Sequence, residues 1–245
     1  MLTLVVFLPL VGIPLLLVWP RMNDETAKWI ALLVTLATFL VSLGVLGRFD
    51  GSRSGFQLVQ SASWVGSLAI RYEVGVDGVS LFMLLLTSFL MPLSILASWK
   101  NEKSVRLFMA SMLLLETGML GTFVALDLLL FFLFFEAILL PMYLIIGAWG
   151  GERRVYAAIK FFLYTMAGSA LLLLAILFLY FKADGILGHP TLDLAQLAGV
   201  ARQLPTATQR WLFAAFFVAF AVKVPVFPLH TWLPDAHTEA PTRAR

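Results

Sequence analysis

Long apolar runs dominate this 245-residue sequence and decide what it can fold into. A helix needs about 20 predominantly apolar residues to cross the hydrocarbon core of a bilayer. Seven stretches meet that requirement, each with at most two ionisable residues: 2–19, 29–47, 78–99, 107–126, 128–151, 161–181 and 211–234. We therefore expect an all-α polytopic membrane protein with about seven transmembrane helices.

The composition excludes several other classes of protein. Hydrophobic residues make up 61% of the chain and charged residues only 13%, which is too few charges to cover a water-soluble surface. The absence of cysteine excludes a disulfide scaffold, cysteine-ligated iron–sulfur clusters and a thiol nucleophile. A net charge of +3 without a basic run argues against nucleic acid as a partner.

The short turns between the apolar runs predict the orientation of the chain. Lysine and arginine concentrate in the turns at 20–28, 100–106 and 151–160, whereas the turn around Asp127 has none. Positively charged short loops stay in the cytoplasm, so we place the N-terminus and the long loops 48–76 and 182–210 outside.

Both long loops carry a secondary-structure pattern. The alternation of polar and apolar residues up to Val76 predicts a strand or hairpin. After Thr191, an apolar helical face predicts a short amphipathic helix that ends at Pro205. That face consists of Leu194, Leu197, Ala198, Ala201 and Leu204.

Ionisable residues at membrane depth are the candidate functional residues, because each costs about 2.5–3.5 kcal/mol or more to place there. Glu136 follows eight apolar residues and must be protonated or paired. It could transfer protons or serve as a hydrogen-bonded link between helices. Glu116 has the same two interpretations. Lys160 lies six residues after Arg154, so snorkelling to the cytoplasmic face competes with a relay role.

Lys223 lies about 18 Å along a helix from Trp211, too deep for easy snorkelling. Pro225 and Pro228 follow it and predict a broken helix, because each removes a backbone N–H group. A broken helix beside a buried lysine is typical of transporter ion sites. His230 would lie two helical turns after Lys223 and could shuttle protons, whereas the interpretation of His237 as structural is favoured.

Known nucleotide and metal motifs are missing from the sequence. It contains no GxGxxG after a strand, no Walker A motif and no HExxH spacing. We therefore expect no cofactor and no metal in this chain. Buried acids and a buried base are the components of an ion path.

Several motifs resemble the antiporter-like M-chain family of bacterial NADH–quinone oxidoreductase, respiratory complex I, whose mitochondrial counterpart is subunit 4. The similarity is carried by residues 127–143 with Glu136 and the triplet Pro141-Met142-Tyr143, by 160–165, by 221–237 with Lys223-Val-Pro225, and by 75–80. It extends over the chain up to about Thr242.

The resemblance implies a subunit of the proton-pumping membrane arm, within a fold of fourteen helices and two inverted repeats. Glu136 and Lys223 match the buried glutamate of helix five and the lysine of broken helix seven, and His230 matches a histidine beside the central polar axis. NADH, FMN, the iron–sulfur clusters and quinone would belong to partner subunits. The other partners would be protons, water and the lipid of the bacterial inner membrane.

The resemblance also implies a domain division. Residues 1–106 would form helices one to three with outer loop 48–76, and 107–245 the first proton-translocating repeat, helices four to seven. Family members continue with another apolar helix where this sequence reads Arg243-Ala-Arg245, so we expect a C-terminally truncated fragment that stops before helix eight.

Three other functions stay open on these residues. A multisubunit cation/proton antiporter subunit uses the same glutamate and lysine, although the Pro141-Met142-Tyr143 context argues against it. The membrane subunit of an energy-converting hydrogenase is the second. The third is a structural scaffold in which the buried charges are inactive.

Overall fold

The computed structural model describes residues 1–19 and 22–241, and within them the fold is almost entirely helical. The helices are α1 Leu2–Val18, α2 Asp24–Leu46, α3 Gly78–Ala97, α4 Val105–Val124, α5 Leu128–Ala137, α6 Leu139–Trp149, α7 Arg154–Leu187, α8 Leu194–Gln203, α9 Thr206–Lys223 and α10 Trp232–Glu239. Strands β1 Gln57–Val65 and β2 Ile70–Val76 form the sheet. Arg21, one of the basic residues used to predict the orientation, lies outside the described residues. So do residues 242–245, on which the expected truncation depends.

The all-α polytopic membrane class is confirmed, and the count of seven spans is refined. In the described ranges, five segments are long and apolar enough to cross a bilayer: α2, α3, α4, α5 together with α6, and α7. Helix α1 is apolar but has only 17 residues. The seventh expected span ends as a helix at Lys223.

The fifth span runs from Leu128 to Trp149, as the sequence predicted, with one interruption in its hydrogen bonds. Helix α5 ends at Ala137 and α6 begins at Leu139, while Ile138 between them keeps helical backbone angles. Pro141 explains the interruption, because it has no N–H group to donate to the carbonyl of Ala137. Helix α4 packs against this point: a Cβ atom on Gly118 would come within 2.9 Å of the Ile138 side chain.

Helix α4 is the most enclosed span of the described bundle. Its best membrane-spanning window is 67% buried, against 39% or less for the other four. It packs against α1, α2, α3, α5 and α6. A charged group on α4 therefore meets protein on most sides rather than lipid.

Both long loops lie on one side of the bundle. Strands β1 and β2 pair as an antiparallel hairpin, which confirms the predicted strand. The Leu126 N–H group donates to the Glu73 carbonyl, and the Leu194 N–H group donates to the Leu126 carbonyl. The turn before α5 thus joins the hairpin to the segment that enters α8, and we call this contact the loop junction.

The basic turns lie on the opposite side. The Trp149 indole donates to the Lys103 carbonyl, and the backbone N–H groups of Gly151 and Arg153 donate to Glu239. The turns at 100–106 and 151–154 are therefore neighbours, as their shared charge predicted. Which side faces the cytoplasm stays a prediction, as does the domain division at residue 106.

The predicted amphipathic helix is present as α8. Asp193 caps its N-terminus by accepting from the Gln196 N–H group, and it ends before Pro205. Its apolar face was predicted partly wrong, because Ala198 is exposed and Val200 is buried. Leu197, Val200 and Leu204 pack against Leu179 and Ala183 of α7.

Candidate functional site

The predicted helix break lies directly beside Lys223. Helix α9 ends at this residue, and the chain stays non-helical until α10 begins at Trp232. Pro225 and Pro228 supply the reason, since neither can donate a helical hydrogen bond. The Val226 N–H group donates to the Ala221 carbonyl, so one of the carbonyls that the prolines set free finds a partner five residues away.

Lys223 faces the fifth span. Its Nζ atom lies 4.4 Å from the centre of the Phe135 ring, a cation–π distance. Glu136 is the next residue on α5, so the lysine amine lies in its neighbourhood. Among the described residues the two form no ion pair within 4.0 Å. The structure therefore brings the predicted pair into one region without direct contact.

Glu136 is half-buried and has one enclosed oxygen without a partner. It lies in the last turn of α5, two residues before Ile138. Its Oε1 atom is buried and has no hydrogen-bond partner in the described part of the chain. Leaving such an oxygen without a partner costs free energy unless water reaches it.

Glu116 is more deeply enclosed than the sequence indicated. It lies in the middle of α4 with none of its surface exposed, and neither carboxylate oxygen has a hydrogen-bond partner within the described ranges. Hydrogen-bonded linkage between helices, one of its two predicted interpretations, finds no partner group there. Its burial without a partner leaves the proton-transfer interpretation of Glu116 as a prediction.

Lys160 forms an ion pair that the sequence analysis missed. Its Nζ atom donates to Asp235 Oδ2 at 2.6 Å, and the two side chains are 26% and 24% exposed. The ion pair joins α7 to α10, whose end contacts the basic turn at 151–154, so it is compatible with a lysine that reaches toward that side. The signal in the sequence was Asp235 itself, an acid shortly after the broken helix.

His230 does not share a helical face with Lys223, and that prediction is wrong. The prolines end α9 before the helix can place residues 223 and 230 two turns apart. His230 lies in the non-helical linker, where its Nδ1 atom is buried without a partner among the described residues. Its ring is 5.5 Å from that of Phe227. His237 is exposed on α10.

Chemically, this arrangement can hold and transfer protons. It consists of one fully buried carboxyl group without a partner, one half-buried carboxyl group with an unpaired oxygen, one amine at a helix end, one imidazole and one ion pair. In the described ranges no group of three His, Cys, Asp or Glu side chains could hold a metal ion. Nor do hydrogen bonds or ion pairs between described residues connect Glu116, Glu136, Lys223 and His230, so protons passing between them would need water.

Comparison with known proteins shows which membrane subunits this chain is similar to. Residues 125–244 match the family described as NADH:quinone oxidoreductase/Mrp antiporter, transmembrane. NADH-quinone oxidoreductase subunit M of Rhodobacter capsulatus is 47% identical over 99% of this chain and 49% of its own length. NADH-ubiquinone oxidoreductase chain 4 of Prototheca wickerhamii is 44% identical over 98% of this chain and 47% of its own.

A solved structure agrees with these relatives. A chain of respiratory complex I from Thermus thermophilus superposes with a TM-score of 0.83 at 33% identity, over 98% of this chain and 48% of that one. The chain spans about half the length of the curated relatives it matches. Over nearly its whole length it is similar to about half of subunit M of NADH-quinone oxidoreductase, and residues 125–244 carry the NADH:quinone oxidoreductase/Mrp antiporter transmembrane region.

Proposed function

We propose that this chain serves redox-driven proton translocation in the membrane arm of NADH:quinone oxidoreductase, with Glu136 and Lys223 as its proton-transfer pair. The observation that carries the proposal is the amine of Lys223 at a helix end, over the Phe135 ring and beside Glu136. NADH, FMN, iron–sulfur clusters and quinone would be bound by partner subunits. The N-terminus and the loop junction would face the outside of a bacterial inner membrane.

The electrostatics of the pair support this role. Two unit charges about 5 Å apart at an effective dielectric near 20 attract by about 3 kcal/mol. Because the two groups are close without being bonded, a small movement of either helix changes this attraction. The break after Lys223 gives this side chain a helix end that can move.

The other proton-holding groups would extend the path. Glu116 is enclosed on α4, whose neighbours include α5, the helix that carries Glu136. His230 lies in the linker after Lys223. We assign both, and the Lys160–Asp235 pair, to lower-ranking relay roles, with water as the carrier between them.

A double-mutant cycle tests the pair. We expect Glu136→Gln and Lys223→Ala each to lower proton pumping by the assembled complex about 100-fold or more, the usual contribution of a positioned acid or base. The double variant should cost less free energy than the sum of the single variants, because the two groups act together. Pumping would be measured in inverted membrane vesicles during NADH oxidation.

Two exposed residues provide the controls. Lys182 lies 5.7 Å from the Phe178 ring, so Lys182→Ala removes a comparable lysine–phenylalanine contact outside the site. Glu152→Gln neutralises an acid in the exposed turn before α7. Additive losses for Glu136 and Lys223, or normal pumping by Glu136→Gln, would favour the scaffold function instead.

A further inference from the structure

The carbonyl of Val222 has lost its helical partner and found another. In a continuous helix it would accept from the Val226 N–H group, but that group donates to Ala221. The indole Nε1 of Trp232 donates to the Val222 carbonyl instead, at 2.8 Å. Both residues are buried, so water does not compete for the bond.

Trp232 is itself held firmly against α7. Its ring lies 5.3 Å from that of Phe161. Three residues further along α10, on the same helical face, Asp235 binds Lys160, the neighbour of Phe161. Lys160 and Phe161 of α7 thus fix Asp235 and Trp232 of α10, and Trp232 in turn binds the Val222 carbonyl.

Helix α7 also restricts the movement of Val222 by direct packing. A Cβ atom on Gly168 would lie 3.0 Å from the Val222 Cβ atom, so the two backbones pack closely. Lys223 directly follows Val222. Any displacement of the Val222 carbonyl would therefore move the backbone from which the lysine reaches Phe135.

We infer that Trp232 is a positioning residue, whose indole N–H group fixes the end of α9 and thereby the place of Lys223 over Phe135. The inference rests on the proposed function of Lys223. Trp232 touches no transferred proton. It supplies the donor that the Val222 carbonyl lacks, because Pro225 cannot donate to Ala221 and the Val226 N–H group does so in its place.

The indole N–H group of Trp232, rather than the bulk of its ring, positions the end of α9. Trp232→Phe keeps most of the contact with Phe161 and removes the donor. Replacing Trp232 by 3-benzothienylalanine, which has sulfur in place of the indole N–H, keeps the size of the ring as well. Trp211→Phe is the matched control, since Trp211 lies on α9 and is 78% exposed.

The experiment measures pumping per assembled complex and its pH profile in inverted vesicles. We expect both replacements at position 232 to assemble normally and to lower pumping about tenfold, the effect of leaving one buried carbonyl unsatisfied. The pH profile should shift, because a displaced Lys223 meets different surroundings. Trp211→Phe should leave both quantities unchanged.

Three results would overturn the inference. Pumping per complex could be normal in both variants, with any loss explained by reduced assembly. The pH profile could stay in place while the rate falls. The benzothienylalanine variant could match Trp211→Phe, which would assign any defect of Trp232→Phe to packing. Normal pumping by Lys223→Ala would instead refute the proposed function itself.

Discussion

Two enclosed acids, Asp127 and Glu116, show how surroundings decide the role of a residue. Asp127 is 1% exposed and accepts three backbone N–H groups, from Leu129, Leu130 and, across the loop junction, Arg71. Glu116 is fully buried and accepts none within the described ranges. The first acid therefore holds structure together, whereas the second is available to carry a proton.

Asp127 yields a prediction about stability. Asp127→Ala should lower the free energy of unfolding by about 1–3 kcal/mol, because one buried and two partly buried N–H groups lose their acceptor. Asp127→Asn should cost much less, since asparagine also caps helices well. Unfolding of the purified chain in mixed detergent micelles, followed by circular dichroism, would measure both. Equal losses in the two variants would contradict the capping role.

The same residue yields a prediction about pH. Burial, and secondarily the charge of Asp193, raise the pKa of Asp127 above its ordinary value of 3.8, despite the hydrogen bonds. The folded state then binds the proton more tightly than the unfolded state. The resulting stabilisation is complete below pH 3.8 and is lost as pH rises through the folded-state pKa. The wild-type chain should lose more stability than Asp127→Asn over that interval, and parallel pH curves would refute this.

At the scale of elements, the sequence predicted the structures that local patterns determine. The hairpin, helix α8 and the break after Lys223 follow from alternation, an apolar helical face and proline. The Lys160–Asp235 and Trp232–Val222 bonds could not be predicted, since they join residues brought together only when α10 folds back onto α7.

Close packing between α4 and α5 gives a prediction at this scale. A Cβ atom on Gly121 would collide with the Phe134 ring, whereas one on Gly185 of α7 would meet nothing within 4 Å. Gly121→Ala should therefore destabilise the bundle by about 1–3 kcal/mol through overpacking. Gly185→Ala should stabilise it by up to about 1 kcal/mol, because alanine favours helix. Unfolding in micelles would compare the two, and equal effects would contradict the packing described.

At the scale of the whole molecule, the fold separates two chemically different sides. One carries the hairpin and the loop junction, and the other carries the basic turns at 100–106 and 151–154. The two sides lie at opposite ends of the bundle because the helices run between them. Which compartment each side faces is predicted only from the charge of the short turns.

Single cysteines would test this arrangement, because the chain contains no cysteine. We expect a membrane-impermeant maleimide to label Arg53→Cys from outside and Arg153→Cys only from the cytoplasmic side. Both side chains are exposed, and their surface ion pairs contribute little stability. Ser88→Cys, buried in α3, should stay unlabelled from either side. Labelling of positions 53 and 153 from one side would refute the topology.

The length of α7 has a consequence for how α8 meets the membrane. With 34 residues, α7 extends about 51 Å, whereas the hydrocarbon layer is about 30 Å thick. Leu179 and Ala183 lie about 38 Å and 44 Å from Arg154 along the helix, beyond the reach of the acyl chains if that end is held at the basic interface. Helix α8 therefore packs against the end of α7 that extends beyond the lipid tails, rather than against lipid. We expect α8 to keep this position when the lipid is replaced by detergent.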